Sequence, residues 1–182
     1  TTTEPLFIIF PISLHACNNG LRSGLLFLVT GVGTVTIKIF ELFKSFIFVE
    51  YFNFDSILFP VNWALILKND FGPEIIDLCE EKNISILALK AMANKMWDDD
   101  VRGKYQNCWY EPLDDDNMID LSVKFTLSQP VVSFLPPGDP DLFLKGLESA
   151  EKFHPINNEE IEFLKAKAKK TNPIGSKTEV FI

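Results

Sequence analysis

The chain has 182 residues, 47% of them hydrophobic, and its 25 acidic and 17 basic side chains leave a formal net charge of −8. That length suits one domain able to bury a sizeable core. The acidic balance argues against a nucleic-acid partner, whose phosphates need a basic face.

Cys17, Cys79 and Cys108 are odd in number and form no CxxC pair. This points to a reduced, cytoplasmic setting rather than a disulfide framework. The acid clusters in Asp98-Asp99-Asp100 and Asp114-Asp115-Asp116, which read as solvated loops. The first residue is Thr1 rather than Met, as in a fragment.

Leu6 to Leu14 is apolar enough for a buried strand, although Pro11 argues against a central position. Ser23 to Ile37 is an uncharged run of 15 residues with three glycines. A spanning helix needs ~20 mostly apolar residues, so no membrane span is expected. Within that run Gly31-Val32-Gly33-Thr34-Val35-Thr36 opens like a dinucleotide fingerprint, but Thr36 stands where the third glycine belongs. A turn between two strands is the better reading. Lys38 to Phe54 is crowded with Phe and Ile and fits no clean amphipathic pattern.

The stretch from Phe54 to Met92 reads strand, helix, strand. Ser56 to Trp63 and Ile84 to Met92 are short apolar runs, as strands covered on both faces should be. Between them Gly72-Pro73 opens a helix with Glu74 and Asp77 in its first turn and Ile75, Leu78 and Cys79 on one face. Lys82 falls in its last turn, and Asn83 suits the left-handed conformation that ends a helix. Such a crossover implies parallel strands.

A long loop follows with Trp97, Tyr105, Trp109 and Tyr110 among polar residues. These aromatics either wall an apolar pocket or pin the loop to the body. Asp116 then caps a helix with Met118, Leu121 and Phe125 on one face, stopped by Gln129-Pro130. Val131 to Leu135 is the next buried strand. It leads through Pro136-Pro137-Gly138 to a helix capped by Asp139, begun by Pro140, with Phe143, Leu147 and Ala150 on one face. The last helix opens with a capping box from Asn157 to Glu160 and aligns Ile161, Leu164 and Ala168.

Alternating strands and helices of this kind predict the α/β class. The repeats suggest an α/β barrel, and the family resemblance given below implies a partial (β/α)8 TIM barrel with Ile57–Asn62, Ile84–Lys90 and Val131–Leu135 as its last three strands, after an irregular N-terminal segment. The expected division is 1–53, 54–173 and a tail over 174–182. In such barrels the site lies at the strands' C-terminal ends, here Pro60 to Trp63, Lys90 to Ala93 and Pro136 to Asp139.

The runs Phe54 to Trp63, Leu87-Ala88-Leu89-Lys90-Ala91-Met92-Ala93, Lys104 to Leu113 and Phe125 to Pro130 resemble the C-terminal half of an aldo/keto reductase. The resemblance extends from about Phe54 to Pro173 and nearly vanishes before Phe54. It implies an oxidoreductase that reduces aldehydes or ketones with NAD or NADP. Here the copy would be truncated, with impaired activity. Cofactor contacts are implied at Asn62, Lys90, Pro136, Pro137, Gly138 and Asp139, with no metal. In that family the sixth and seventh strand ends meet the nicotinamide, and the eighth with its following helix N-terminus holds the adenosine phosphate. Helix N-termini suit phosphate through their N–H groups and dipole. Leu58 and Leu89 stand where many relatives carry a glutamine and an aromatic ring. Asp139 stands where many carry a basic residue, so NAD is expected to bind no worse than NADP.

Of the family's catalytic Asp, Tyr, Lys and His, only His15 has a candidate here, since Ser13-Leu14-His15-Ala16 resembles the fourth strand end. The bland reading of His15 is an ordinary surface or core residue. Lys90 supports a rival chemistry, a Schiff base with a carbonyl substrate, if alternation places it with Ile86 and Ala88 at a barrel mouth. Its bland reading is a lysine snorkelling from a strand end. A third reading is an inactive remnant that acts only by self-association through exposed strand edges.

Overall fold

The computed structural model describes residues 26–29, 35–38, 49–52, 54–98 and 104–174. His15 and the run Leu6 to Leu14 lie outside the described residues.

Five strands form one sheet, in the order β1 (Leu26–Val29), β2 (Val35–Lys38), β3 (Ser56–Pro60), β4 (Ser85–Leu89) and β7 (Ser133–Phe134). β1 and β2 pair antiparallel, from Leu26 opposite Lys38 to Val29 opposite Val35. Residues 30–34, where the turn at Gly31 and Gly33 is expected, lie outside the described residues. β2, β3, β4 and β7 run parallel to one another. The expected pairing of the runs at Ile57 and Ile84 is present, with Ile57 opposite Ile86 and Phe59 opposite Ala88. The class is therefore mixed α/β. Among the described residues the sheet is open, and its antiparallel β1 departs from an all-parallel pattern.

β3 ends at Pro60, two residues short of the expected limit. Asn62 begins something else: its Oδ1 accepts from the N–H groups of Ala64 and Leu65 and starts helix α1 (Trp63–Asn69), which the sequence reading missed. Asp70, at φ 50°, ends α1 in the left-handed region. Helix α2 (Pro73–Glu81) starts at Pro73 as expected, and Asn83 is left-handed at φ 56° just after it. Its buried side chains are Ile75, Ile76 and Cys79, with Leu78 at the margin. Together with Ile57, Phe59, Ile86 and Ala88 they form the core between sheet and helix.

Helix α3 (Asp116–Leu127) is capped by Asp115, whose side chain accepts from the Met118 N–H, not by Asp116, which is its first residue. Its most buried apolar residues are Ile119, Val123 and Phe125, so the face is rotated from Met118 and Leu121. β7 was expected as a buried strand over Val131–Leu135. It spans two residues at the sheet edge, and Val132 is 63% exposed. Hydrogen bonds from Val132 N to Ile86 O and Leu135 N to Ala88 O extend its attachment to β4.

Helix α4 (Pro140–Glu151) is capped by Asp139 with Pro140 first, as expected. The face it buries is Leu142 and Gly146, not Phe143 and Leu147, which are half exposed. The reason is close approach: a Cβ at Gly146 would lie 2.8 Å from the Met92 sulfur and 3.5 Å from the Phe134 ring. The helix rolls to put its glycine there. Helix α5 (Asn158–Ala168) has the full capping box of Asn157 and Glu160 and buries Leu164 and Ala168 against Trp63, Ala64 and Phe125. Ile174 packs with Ala93 and Tyr110.

Candidate functional site

A cleft with a cavity volume of about 210 Å³ lies where β4 and β7 end. Its walls come from Leu89 and Lys90 after β4, Asn107 to Tyr110 from the long loop, and Leu135 to Gly138 after β7. Four sequence-predicted residues, Lys90, Pro136, Pro137 and Gly138, are brought together there. This is the C-terminal end of parallel strands, where open and closed α/β folds place ligands.

Lys90 is 5% exposed and has φ 63°, just past the last residue of β4. The strand alternation that would align it with Ile86 and Ala88 therefore stops at Leu89. The left-handed turn carries its side chain into the cleft, with Nζ 4.8 Å from the centroid of the Trp109 ring. An ammonium over an indole face is a favourable cation–π contact.

Asn62 holds that turn in place. Its Nδ2 donates to the carbonyls of Lys90 and Ala93, each at 2.9 Å, while Oδ1 accepts from Ala64 N and Leu65 N. An amide offers two donors and two acceptor lone pairs, and all are engaged in joining the end of β3 to the end of β4. Asn62 thus supports the cleft from behind and lines none of it.

The long loop resolves into two roles. The pinning residues are Trp97, whose Nε1 donates to Cys108 O at 2.9 Å, and buried Tyr105, whose hydroxyl reaches Asp114 at 3.4 Å. A small hairpin of β5 (Ala93–Lys95) and β6 (Glu111–Pro112) closes the base of the loop, and Lys95 pairs with Asp98 and with Glu111. The wall residues are Trp109 and Tyr110, set edge to face with ring centroids 5.2 Å apart. The sequence left all four loop aromatics open between wall and pin, and it gave Cys108 no site role. The one available signal was the aromatic cluster in the loop.

Burial holds the Tyr110 phenol well above its ordinary value, helped by the neighbouring Cys108. It is a neutral O–H donor at physiological pH. Burial likewise raises the Cys108 thiol, the Asp139 carboxylate adds to the effect, and the Gly138 N–H only partly offsets it. Cys108 is therefore a thiol rather than a reactive thiolate.

Asp139 does not line the cleft. Its Oδ1 accepts from the N–H groups of Asp141 and Leu142, both at 3.1 Å, and Phe143 N bonds to its carbonyl. Pro140 has no N–H. The expectation that α4 offers its first N–H groups to phosphate is corrected: the chain's own carboxylate holds them.

A larger hollow of about 300 Å³ lies between α3 and α4, lined mainly by Asp116, Asp120, Glu148, Lys145 and Lys152. Its lysines are engaged, Lys145 with Asp116 at 2.5 Å and Lys152 with Glu148 at 2.6 Å. Among the described residues there is no group of three or more metal-ligating side chains, and no helix is long and apolar enough to cross a membrane. No protein-family model matches this chain, and no curated protein is significantly similar to it.

Proposed function

We propose that the chain is an aldo/keto-reductase-like arc of a (β/α)8 barrel, and that its cleft binds a small carbonyl compound or the nicotinamide end of NAD or NADP. The observation that carries this reading is the buried Lys90 ammonium facing Trp109 at the C-terminal ends of β4 and β7. At about 210 Å³ the cleft suits one ring, since pockets for drug-sized ligands run from ~300 Å³ upward. Lys90 and Tyr110 supply donors to a carbonyl or amide oxygen, while Trp109, Pro136 and Pro137 supply flat apolar walls.

The fit to a whole dinucleotide is incomplete. A nicotinamide cofactor would supply hydride when bound. Its phosphates, however, find the N–H groups of α4 already taken by Asp139. Weak binding and impaired reductase activity follow from that arrangement, with NADP no better than NAD because Asp139 repels a further phosphate. Two buried thiols, Cys79 and Cys108, fit a reducing, cytoplasmic setting.

Calorimetric titration with NAD and NADP, on wild type and on Lys90→Met, tests the reading. The expected result is weak heat with both cofactors, lost in Lys90→Met. A tenfold preference for NADP, about 1.4 kcal/mol, would overturn the role given to Asp139. No heat with either cofactor or with small aldehydes would leave a non-binding remnant. Borohydride trapping of an aldehyde on Lys90 would replace reduction with the Schiff-base reading.

A further inference from the structure

The cleft at the ends of β4 and β7 is electrically one-sided. Of the described residues that line it, only Lys90 carries a formal charge, and no carboxylate is among them. Asp139, near enough to raise the Cys108 thiol, lies outside the lining, and its Oδ1 accepts from Asp141 N and Leu142 N. Lys90 is 5% exposed, and Asn62 fixes the turn that aims it by donating to its carbonyl at 2.9 Å. Its Nζ stands 4.8 Å from the Trp109 centroid, and Trp109 in turn meets Tyr110 edge to face. The cation and the neutral phenol donor therefore flank one indole. Leu89, Leu135, Pro136 and Pro137 add apolar walls.

A neutral carbonyl offers an ammonium only a dipole. A carboxylate offers a full opposite charge, and that attraction grows where water is excluded. Folding has already withdrawn Lys90 from water, so an arriving anion carries only its own desolvation. We propose that the carbonyl compound this cleft takes is an α-keto acid bearing one flat ring, with its carboxylate on Lys90 and its keto oxygen on the Tyr110 hydroxyl. The inference rests on the carbonyl-binding reading above and narrows it to an anionic class. In an α-keto acid the two oxygen-bearing carbons are bonded to each other, so neighbouring donors can serve both. A volume of about 210 Å³ leaves room for the ring against the apolar walls. The chain as a whole carries a net charge of −8, so a preference for an anion must come from the cleft and not from the overall field.

NMR titration of the full chain, followed at the tryptophan indole N–H signals, tests this. The probes are phenylglyoxylate and its methyl ketone analogue, in which a methyl group replaces the charged oxygen. Phenylglyoxylate should bind with a dissociation constant on the order of millimolar, at least about tenfold below that of the analogue. The Trp109 signal should move with both, while Trp63, which lines none of the cleft, stays. Lys90→Met should weaken phenylglyoxylate alone and bring the two ligands together. Leu135→Asp, at a 39% exposed position in the lining, should do the same by setting a carboxylate against the anion. Equal affinity for the two probes on wild type overturns the proposal and leaves the carbonyl reading standing. So does a preference that survives Lys90→Met. If Lys90→Met loses its fold by circular dichroism, Leu135→Asp decides, and a preference retained there overturns the proposal. Failure of both probes to move Trp109 overturns the carbonyl reading as well.

Discussion

Asn62, behind the cleft, and Gly72, at the start of α2, show how single residues set local geometry. Asn62 is 2% exposed, and its four hydrogen bonds tie α1, Lys90 and Ala93 together. Asn62→Ala leaves two N–H groups and a carbonyl short of partners in the interior. The expected cost is about 3 kcal/mol, and the Lys90 turn loses its support. Gly72, at φ 101°, caps α2 where a Cβ would stand 2.6 Å from the Phe59 ring. Phe59 stacks on Phe71, with ring centroids 5.7 Å apart, and is fully buried. Strain and clash together put Gly72→Ala at about 3 kcal/mol. Gly138 has no positive φ of that kind, and its nearest contact would be Asn107 O at 3.6 Å. Gly138→Ala should therefore fold normally. Thermal melts separate them: each of the first two variants falls by roughly 6–12 °C, the third by little. Burial pushes the Cys79 thiol up to about 12, so alkylation of Cys79 should await unfolding.

At the scale of elements, the docking of α5 depends on a charge network centred on Lys124. Burial pulls the Lys124 ammonium down, but Asp120 at 2.8 Å and Glu160 at 3.3 Å outweigh it and leave the net shift upward. Glu160 is held below its ordinary value of 4.5, first by the Asn157 N–H and then by Lys124. A carboxyl depressed in the folded state contributes stability above its unfolded value and loses it as pH falls through the folded one. Wild type should therefore lose more stability below pH 4.5 than Glu160→Gln, which keeps the box but carries no charge to lose. Asn157→Ala should cost about 1 kcal/mol at any pH, as cap removals do. The box was legible in sequence because its two residues stand at fixed spacing beside the bonds they make. The start of α2 was legible for the same local reason, as was the Asp139 cap. Helix α1 was not, because Asn62 sits inside a continuous apolar run and its capping role shows only against Ala64 and Leu65. The buried face of α4 was not legible either. Leu142 and Gly146 win that face through contacts with Met92 and Phe134, far away in the chain. In the cleft, Lys90 was found through its position at a strand end. For the loop aromatics the sequence left wall and pin open, because nothing local says that Trp109 and Tyr110 turn to the cleft while Trp97 and Tyr105 pin the loop.

Across the whole molecule, stability should grade outward from the β3–β4 pair. These strands share five residue pairs, from Ser56 opposite Ser85 to Pro60 opposite Leu89. Ile57, Phe59, Ile86 and Ala88 are all at most 1% exposed. Additional bonds extend the pair at both ends, Ser85 N to Asp55 O and Val61 N to Leu89 O, each 3.0 Å. Thr126 then fastens α3 to the end of β3 through its hydroxyl and Val61 O. β7 contrasts with this: it has two paired residues, a half-exposed Ser133 and Phe134, and Val132 largely in solvent. Opening free energies follow buried contacts and shielded backbone bonds. Native-state hydrogen exchange should therefore show the slowest amides in Ile57 to Phe59 and Ile86 to Ala88, close to the global unfolding free energy. Ser133 to Leu135 should exchange by local opening, at a free energy several kcal/mol lower. Equal protection of β7 and β4 would mean that the edge is covered by another part of the chain.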